Sequence, residues 1–165
     1  MVGGAERTLG LVLACRKELP LLLRAGAWDP DGKQRGRLLH GAHVLLVGTV
    51  DVDAVTRVVA PTGARVARPA DPTTPTPGEA AVADVLVLLP GAAPVGAAVL
   101  AALPDAASVV DVSVSGAVDP DVLADGLGEG RPLHAALVID GDTLPAGHAL
   151  WRSPRALVVP EERAA

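Results

Sequence analysis

The sequence has 165 residues, enough for one domain with its own core, and a formal net charge of −5. Half of the residues are apolar, but there is no Phe or Tyr. The aromatic platforms and clustered basic charges of nucleic-acid-binding proteins are therefore missing. No apolar run approaches the length of a membrane-spanning helix. One cysteine, Cys15, cannot form an internal disulfide, which favours the cytoplasm.

The chain begins with a helical pattern. Apolar residues between Glu6 and Ala25 recur at helical spacing, and Pro20 is expected to kink or divide that helix. The polar segment Trp28–Arg37 has Asp-Pro-Asp-Gly at its centre and predicts a loop. We expect residues 1–38 to form a helix and loop that pack on, or extend from, a domain of residues 39–165.

Short apolar runs then alternate with helical patterns, interrupted by Pro69–Gly78, which is too proline-rich for a stable helix. This alternation predicts a parallel sheet with helices on both faces, and the continuous apolar strands fit burial on both sides. The fold class is therefore a single Rossmann-like α/β domain with a doubly wound sheet. The predicted strands are His43–Val47, Ala64–Ala67, Val85–Leu89, Ser108–Val112, Leu133–Ile139 and Ala156–Val159, and the predicted helices are Val52–Ala60, Val95–Leu103 and Pro120–Leu127.

The turn after the strand His43–Val47 stands where a dinucleotide-binding fold has G-x-G-x-x-G. Here the six positions read G-T-V-D-V-D, from Gly48 to Asp53, so two glycines are missing. Val50 would crowd a diphosphate, and a carboxylate about 4 Å from it costs up to roughly 4 kcal/mol at an effective dielectric of 20. Asp51 and Asp53 suit a helix N-terminus and supply a cap. The turn is either a capped strand-to-helix connection or a working phosphate loop.

Longer stretches carry a family resemblance. They read A-D-V-L-V-L-L-P-G from Ala83, S-V-V-D-V-S-V-S-G-A-V-D-P from Ser108 and L-P-A-G-H-A-L-W-R-S-P-R-A-L-V-V-P from Leu144. In this order and spacing they resemble the nucleotide-binding domain of the D-isomer-specific 2-hydroxyacid dehydrogenases. The resemblance implies that the domain binds NAD or NADP and that a second domain, with no counterpart here, helps to hold the substrate.

The resemblance also implies three catalytic positions, and each is substituted. The arginine that grips the substrate carboxylate falls on Val114, and the histidine that moves the hydroxyl proton falls on Glu161. The glutamate that orients the histidine falls on Asp142 or Thr143. Valine cannot bind a carboxylate, and glutamate cannot replace an imidazole. We therefore expect no catalytic residue and loss of the family's reaction.

Several positions would lie against a dinucleotide if one bound. Arg68 ends the second strand, where the resemblance implies a preference for the 2′-phosphate of NADP, although it could equally be a solvated strand end. Pro90 matches a position beside the cofactor but is also an ordinary strand terminator. We expect no cofactor, and NADP or NAD if any. The candidate cofactor-binding residues are Gly48, Asp51, Val52, Arg68, Pro90 and Val112.

The remaining reactive residues offer little. The four histidines lack metal-ligand spacing, so no metal site is expected. His148 could act with Asp140 or Asp142 in a new site. Cys15 has no visible base and is expected to be a buried helix residue.

Two functions compete. The first is a non-catalytic dehydrogenase relic that acts through protein contacts, as a homodimer through its N-terminal helix and Rossmann domain or with an unidentified partner. The alternative is that this helix packs on its own sheet. The second function is an NAD(P)-binding oxidoreductase domain completed by a partner chain. A new hydrolytic or transferase site ranks below both, because no nucleophile–base pair is visible.

Overall fold

The computed structural model describes residues 2–18, 37–132, 134–140 and 143–161, which form an α/β domain around one parallel sheet. The helices are α1 (Val2–Arg16), α2 (Val52–Val59), α3 (Pro77–Ala80), α4 (Ala97–Ala102) and α5 (Pro120–Glu129). The strands are β1 (His43–Val47), β2 (Arg65–Ala67), β3 (Val85–Leu88), β4 (Ser108–Val114), β5 (His134–Ile139) and β6 (Ala156–Pro160).

The six strands lie in the order β2-β1-β3-β4-β5-β6, and every neighbouring pair is parallel. This confirms the predicted Rossmann-like, doubly wound fold. The chain moves outward from β1 to β2 on one side and from β3 to β6 on the other. The direction of winding therefore reverses between β1 and β3. In sheets of this kind, ligands bind in the crevice outside the carboxyl ends of the strands at that reversal.

Both faces of the sheet are covered, which explains the continuous apolar strands. Alternate residues of each strand serve two cores. Leu86 and Leu88 of β3 face the core that includes α4 and α5 residues. Val85 and Val87 face the core that includes α1 and α2 residues. Ala, Val and Leu side chains make up most of both layers, without any aromatic ring from Phe or Tyr.

Helix α1 packs on its own sheet. Its buried side includes Leu11, Val12 and Cys15, and it contacts α2, β4 and β5. The helix begins four residues before the predicted start and ends at Arg16. The rest of the predicted helix and the predicted loop at Trp28–Arg37 lie almost entirely outside the described residues, which resume at Arg37.

Several predicted boundaries need correction. Helix α4 is shorter than predicted because Val95 instead pairs with Val118 as a parallel bridge, and β4 continues past Val112 to Val114. The proline-rich segment does contain a turn of helix, α3, which begins at its end. Thr76 and Glu79 form a capping box there, and Pro77 occupies the first helical position, where its missing amide hydrogen costs nothing.

Candidate functional site

The turn after β1 requires glycine at its first position. Gly48 has φ +134°, and a Cβ there would lie 2.8 Å from the Leu89 carbonyl oxygen, so only glycine fits. Asp51 precedes α2 with φ 61° and makes no side-chain capping bond to the described helix amides. The prediction that Asp51 caps the helix is therefore wrong, because a capping side chain needs extended backbone at that residue.

The first three backbone amides of this turn are already used. The amides of Thr49 and Val50 both donate to the Pro90 carbonyl oxygen at 3.1 Å, and the Gly48 amide donates to the Pro72 carbonyl oxygen at 2.6 Å. A Cβ on Gly91 would lie 2.1 Å from Thr49 Oγ1, so the turns after β1 and β3 are in tight contact. A phosphate loop instead directs free amides at its ligand.

The chain itself bridges the crevice between β1 and β3. Residues 71–74, the crossing segment, lie between β2 and α3 and are joined by an isolated bridge between Asp71 and Thr74. The Pro72 carbonyl accepts from Gly48 after β1, and the Thr73 carbonyl accepts from the Ala93 amide after β3 at 2.8 Å. The crossing segment is thus hydrogen-bonded to both sides of the crevice.

Arg68 makes an ion pair with Asp53 in the first turn of α2. This pair neutralises one of the two carboxylates predicted to repel a diphosphate, leaving Asp51. Both side chains are largely exposed, and exposed pairs contribute about 0 to 1 kcal/mol. The pairing gives Arg68 a role that the sequence did not predict, and it is weak enough for a phosphate to compete with Asp53.

A cavity of about 750 Å³ lies at the carboxyl ends of the strands, beside α1. This volume falls within the range of small-molecule sites. It brings together Val114 and Glu161, two of the positions where the resemblance places catalytic residues. Of the candidate cofactor-binding residues it includes Asp51, Pro90 and Val112, whereas Gly48, Val52 and Arg68 are not among its lining residues. The lining is Gly4, Arg7, Thr8, Val50, Asp51, Leu89, Pro90, Val112, Val114, Val159, Pro160 and Glu161.

Val114 is held in a strained conformation at the cavity wall. Its φ of 64° is left-handed, which costs a β-branched residue on the order of 1–3 kcal/mol. The buried Asp111 carboxylate secures this loop by accepting from the Ser113 amide and hydroxyl at 2.9 and 2.6 Å and from the Val118 amide at 3.1 Å. Sequence reasoning missed this network, although an Asp two residues before a Ser is a recognisable local signal.

The described lining of the cavity has one basic and two acidic side chains. Glu161 continues from β6, where its amide donates to the Ile139 carbonyl at 2.8 Å. Arg7, which the sequence did not single out, supplies a cation, while Asp51 and Glu161 supply two carboxylates. The Thr8 hydroxyl donates to the Gly4 carbonyl at 2.8 Å. Histidine, cysteine and serine are absent from the described lining, so no imidazole is available there to move a hydroxyl proton.

The other residues that the sequence singled out for possible chemistry are not part of the described cavity lining. His148 Nε2 is 3.1 Å from Asp121 Oδ1, while its Nδ1 accepts from the Leu150 amide, so the pairing is with Asp121 and not with Asp140. Asp142 lies outside the described residues, and Thr143 is exposed. Cys15 is confirmed as a buried helix residue, and burial raises the pKa of its thiol to about 12.

Metal sites and membrane spans are both absent from the described part of the chain. No group of three or more His, Cys, Asp or Glu side chains is placed there to hold a metal ion. None of the described helices has the length and apolar character needed to cross a membrane.

Comparison with known proteins matches structures but not sequences. No protein-family model matches the sequence, and no curated protein is similar enough to match it. Solved structures do match. The TT0316 protein from Thermus thermophilus is 26% identical with a TM-score of 0.78, over 96% of this chain and 57% of that one.

Two further matches are described as dehydrogenases with bound cofactor. The D-isomer-specific 2-hydroxyacid dehydrogenase from Xanthobacter autotrophicus Py2, in complex with NADPH and MES, is 24% identical with a TM-score of 0.78, over 95% of this chain and 56% of that one. The NAD-complexed D-isomer-specific 2-hydroxyacid dehydrogenase from Lactobacillus delbrueckii ssp. bulgaricus is 17% identical with a TM-score of 0.76, over 94% of this chain and 57% of that one. The chain thus spans little more than half of each. Its resemblance to the D-isomer-specific 2-hydroxyacid dehydrogenases is confirmed at the level of structure: over that part of their length it has their fold.

Proposed function

We propose that this chain is a dehydrogenase-like domain that performs no hydride transfer and acts through protein contacts. One observation carries the proposal: the amides of Thr49 and Val50 donate to Pro90, so the turn offers a diphosphate no free amides at these positions. The crossing segment adds a physical obstacle at the same crevice. A diphosphate would have to break these bonds and also approach the Asp51 carboxylate.

The cavity supports the same proposal from the chemical side. The loop that ends β4 keeps its hydrogen-bonded shape, but Val114 presents an aliphatic group where a carboxylate would need an arginine. Glu161 adds negative charge close by, which disfavours an anionic substrate. The cytoplasm remains part of the proposal, on the basis of the single cysteine.

Titration with NADPH and NADH tests the proposal. Calorimetry with the full chain is expected to show no saturable binding tighter than about 100 μM. The variant Asp53→Asn makes the test sharper because it releases Arg68 for a 2′-phosphate. We expect no gain in NADPH binding, since the amides of Gly48, Thr49 and Val50 remain engaged. Tight binding by the parent chain, or by Asp53→Asn with NADPH in preference to NADH, would contradict the proposal.

The protein contact that we propose first is a homodimer. The inner side of α1 is occupied by its own sheet, so any dimer must use the outer side, where Leu13 is exposed together with nearby helix surface. Light scattering at micromolar concentration is expected to give twice the chain mass, and Leu13→Lys is expected to reduce it. Val82→Lys, at another exposed apolar position, is the matched control. A monomeric parent chain would remove the homodimer and leave a different partner.

A second candidate function is an NAD(P)-binding domain completed by another chain. The open cavity of about 750 Å³ favours it, as do the NADPH and NAD bound to two similar structures. The same titration separates the two functions, because a cofactor-binding domain must give a saturable signal with at least one dinucleotide.

A further inference from the structure

A second site is suggested by a buried guanidinium and a buried imidazole at the opposite edge of the sheet, near the amino ends of β4 and β5. Arg16 is 7% exposed and His134 is 3% exposed. Arg16 Nη2 donates to the Leu38 carbonyl at 2.6 Å. Within the described structure, Nε and Nη1 of Arg16 and Nδ1 of His134 have no hydrogen-bond partner. Burying such groups without partners is costly, and native proteins generally supply a partner.

These two side chains line the same recess. The lining is Cys15, Arg16, Glu18, Arg37, Ala106, Ser108 and His134. Arg37 is fixed at the rim, where its amide donates to the Arg16 carbonyl at 2.6 Å and its Nη1 donates to the Ala106 carbonyl at 3.3 Å. Two arginines, a histidine and the buried Ser108 therefore line one recess, and Glu18 is the acidic residue among its described lining.

Burial is the main influence on both groups. Burial lowers the pKa of Arg16, Asp84 partly offsets that effect, and Arg37 adds to it. Burial also lowers the pKa of His134 to about 4, with further contributions from Arg155 and Arg37. An anion bound beside these groups would favour their charged forms.

We propose that this recess binds a compact oxyanion of the phosphate or sulfate class, held by Arg16, Arg37 and His134. The recess has an empty volume of about 170 Å³, but with its side chains in place it has no room for a water molecule. The anion therefore enters by displacing the Glu18 side chain, and the exposed Arg37 guanidinium turns from the Ala106 carbonyl to contact the anion. The anion takes the place of the Glu18 carboxylate, and its oxygens accept hydrogen bonds from the unpartnered nitrogens of Arg16 and His134.

Thermal unfolding and NMR of the full chain test this site. Potassium gluconate is exchanged for potassium phosphate at constant ionic strength, because gluconate is too large for the recess. The expected result is a saturable rise in Tm of about 5 °C at 100 times Kd. The backbone amide signals of Ser108 and His134 should shift with the same saturation. Superimposable melting curves in the two salts, with unmoved signals, would overturn the proposal.

Single substitutions test whether the phosphate-dependent rise in Tm comes from this recess. Arg16→Met should abolish the phosphate-dependent shift, and Arg37→Met, at the exposed rim, should weaken it at least tenfold even if the buried variant does not fold. Glu18→Gln should strengthen binding, because it removes the competing carboxylate. Arg152→Met is the matched control, since it makes the same charge change on an exposed residue outside the recess. An equal loss of the phosphate effect in Arg152→Met and Arg37→Met would contradict the site.

Discussion

At the scale of single residues, buried polar groups determine which parts of the cavity are retained. Asp111 satisfies the Ser113 and Val118 groups that would otherwise be unpaired in the core. This network keeps the loop after β4 in place although Val114 provides no binding group. Asp111 therefore stabilises the backbone of the loop, while the position where the resemblance places an arginine carries the aliphatic side chain of Val114.

The strain at Val114 should be measurable. Val114→Gly removes the steric penalty of the left-handed conformation, and the gain should exceed the entropy cost of glycine in the unfolded chain. We expect the free energy of unfolding in urea to rise by about 1 kcal/mol. Val112→Gly, two residues earlier in the buried strand, is the control and should destabilise. A fall in stability for Val114→Gly would show that its packing outweighs the strain.

His134 should make stability depend on pH. Its pKa is about 4 in the folded protein, below the ordinary 6.5, because burial and the nearby Arg155 and Arg37 disfavour its charged form. The unfolded chain therefore binds a proton that the folded chain does not. Stability is full above pH 6.5 and falls as the pH drops towards 4, by an amount on the order of 2 kcal/mol. Urea unfolding in phosphate-free buffer, compared with His134→Gln, checks this, and parallel pH profiles would contradict it.

At the scale of elements, the local sequence predicted whether a segment is a helix or a strand better than it predicted where that element begins and ends. All six strands were found, because runs such as Val85–Leu88 are apolar without interruption and bounded by turn residues. Asp51 was wrongly predicted as a cap because its left-handed backbone is set by the contact between the turns after β1 and β3, which is a long-range feature. The start of α3 was missed because the proline content outweighed the Thr76–Glu79 capping signal in our reasoning.

The capping box of α3 should contribute to the stability of the crossing segment. Thr76→Ala removes the acceptor for the Glu79 amide and the partner of the Glu79 carboxylate. We expect a loss of about 1 kcal/mol in the free energy of unfolding. Faster amide exchange at Gly48, which donates to Pro72, should accompany it. Thr74→Ala, a nearby threonine outside the capping box, should change both quantities much less.

At the scale of the whole molecule, the fold was predictable and the use of the site was not. Periodicity gave the parallel sheet, and the family resemblance placed Val114 and Glu161, which the structure brings to one cavity. Two features depend on which segments meet in space and could not be predicted from the local sequence. They are the course of residues 71–74 across the crevice and the pairing of Arg68 with Asp53. The recess around Arg16 and His134 likewise joins residues distant in sequence.

Cys15 can report on the cooperativity of the whole domain. It lies on the buried side of α1, and burial raises the pKa of its thiol to about 12. Helix α1 in turn contacts α2, β4 and β5. Reaction with a thiol reagent should be at least about 100-fold slower in the native protein than in urea. Native-state labelling should also slow as stability increases. Rapid labelling of the folded protein would mean that α1 detaches while the sheet stays intact.

The contact between the turns after β1 and β3 bears on evolutionary reversibility. A glycine in place of Val50 leaves its amide bonded to Pro90, and a change in the crossing segment leaves the Thr49 amide bonded as well. A space of ligand size already adjoins the turn, so what a diphosphate would need is free amides. Each alteration alone leaves at least one of these amides bonded, so we expect that no single substitution at these positions gives the turn the open amides of a glycine-rich loop.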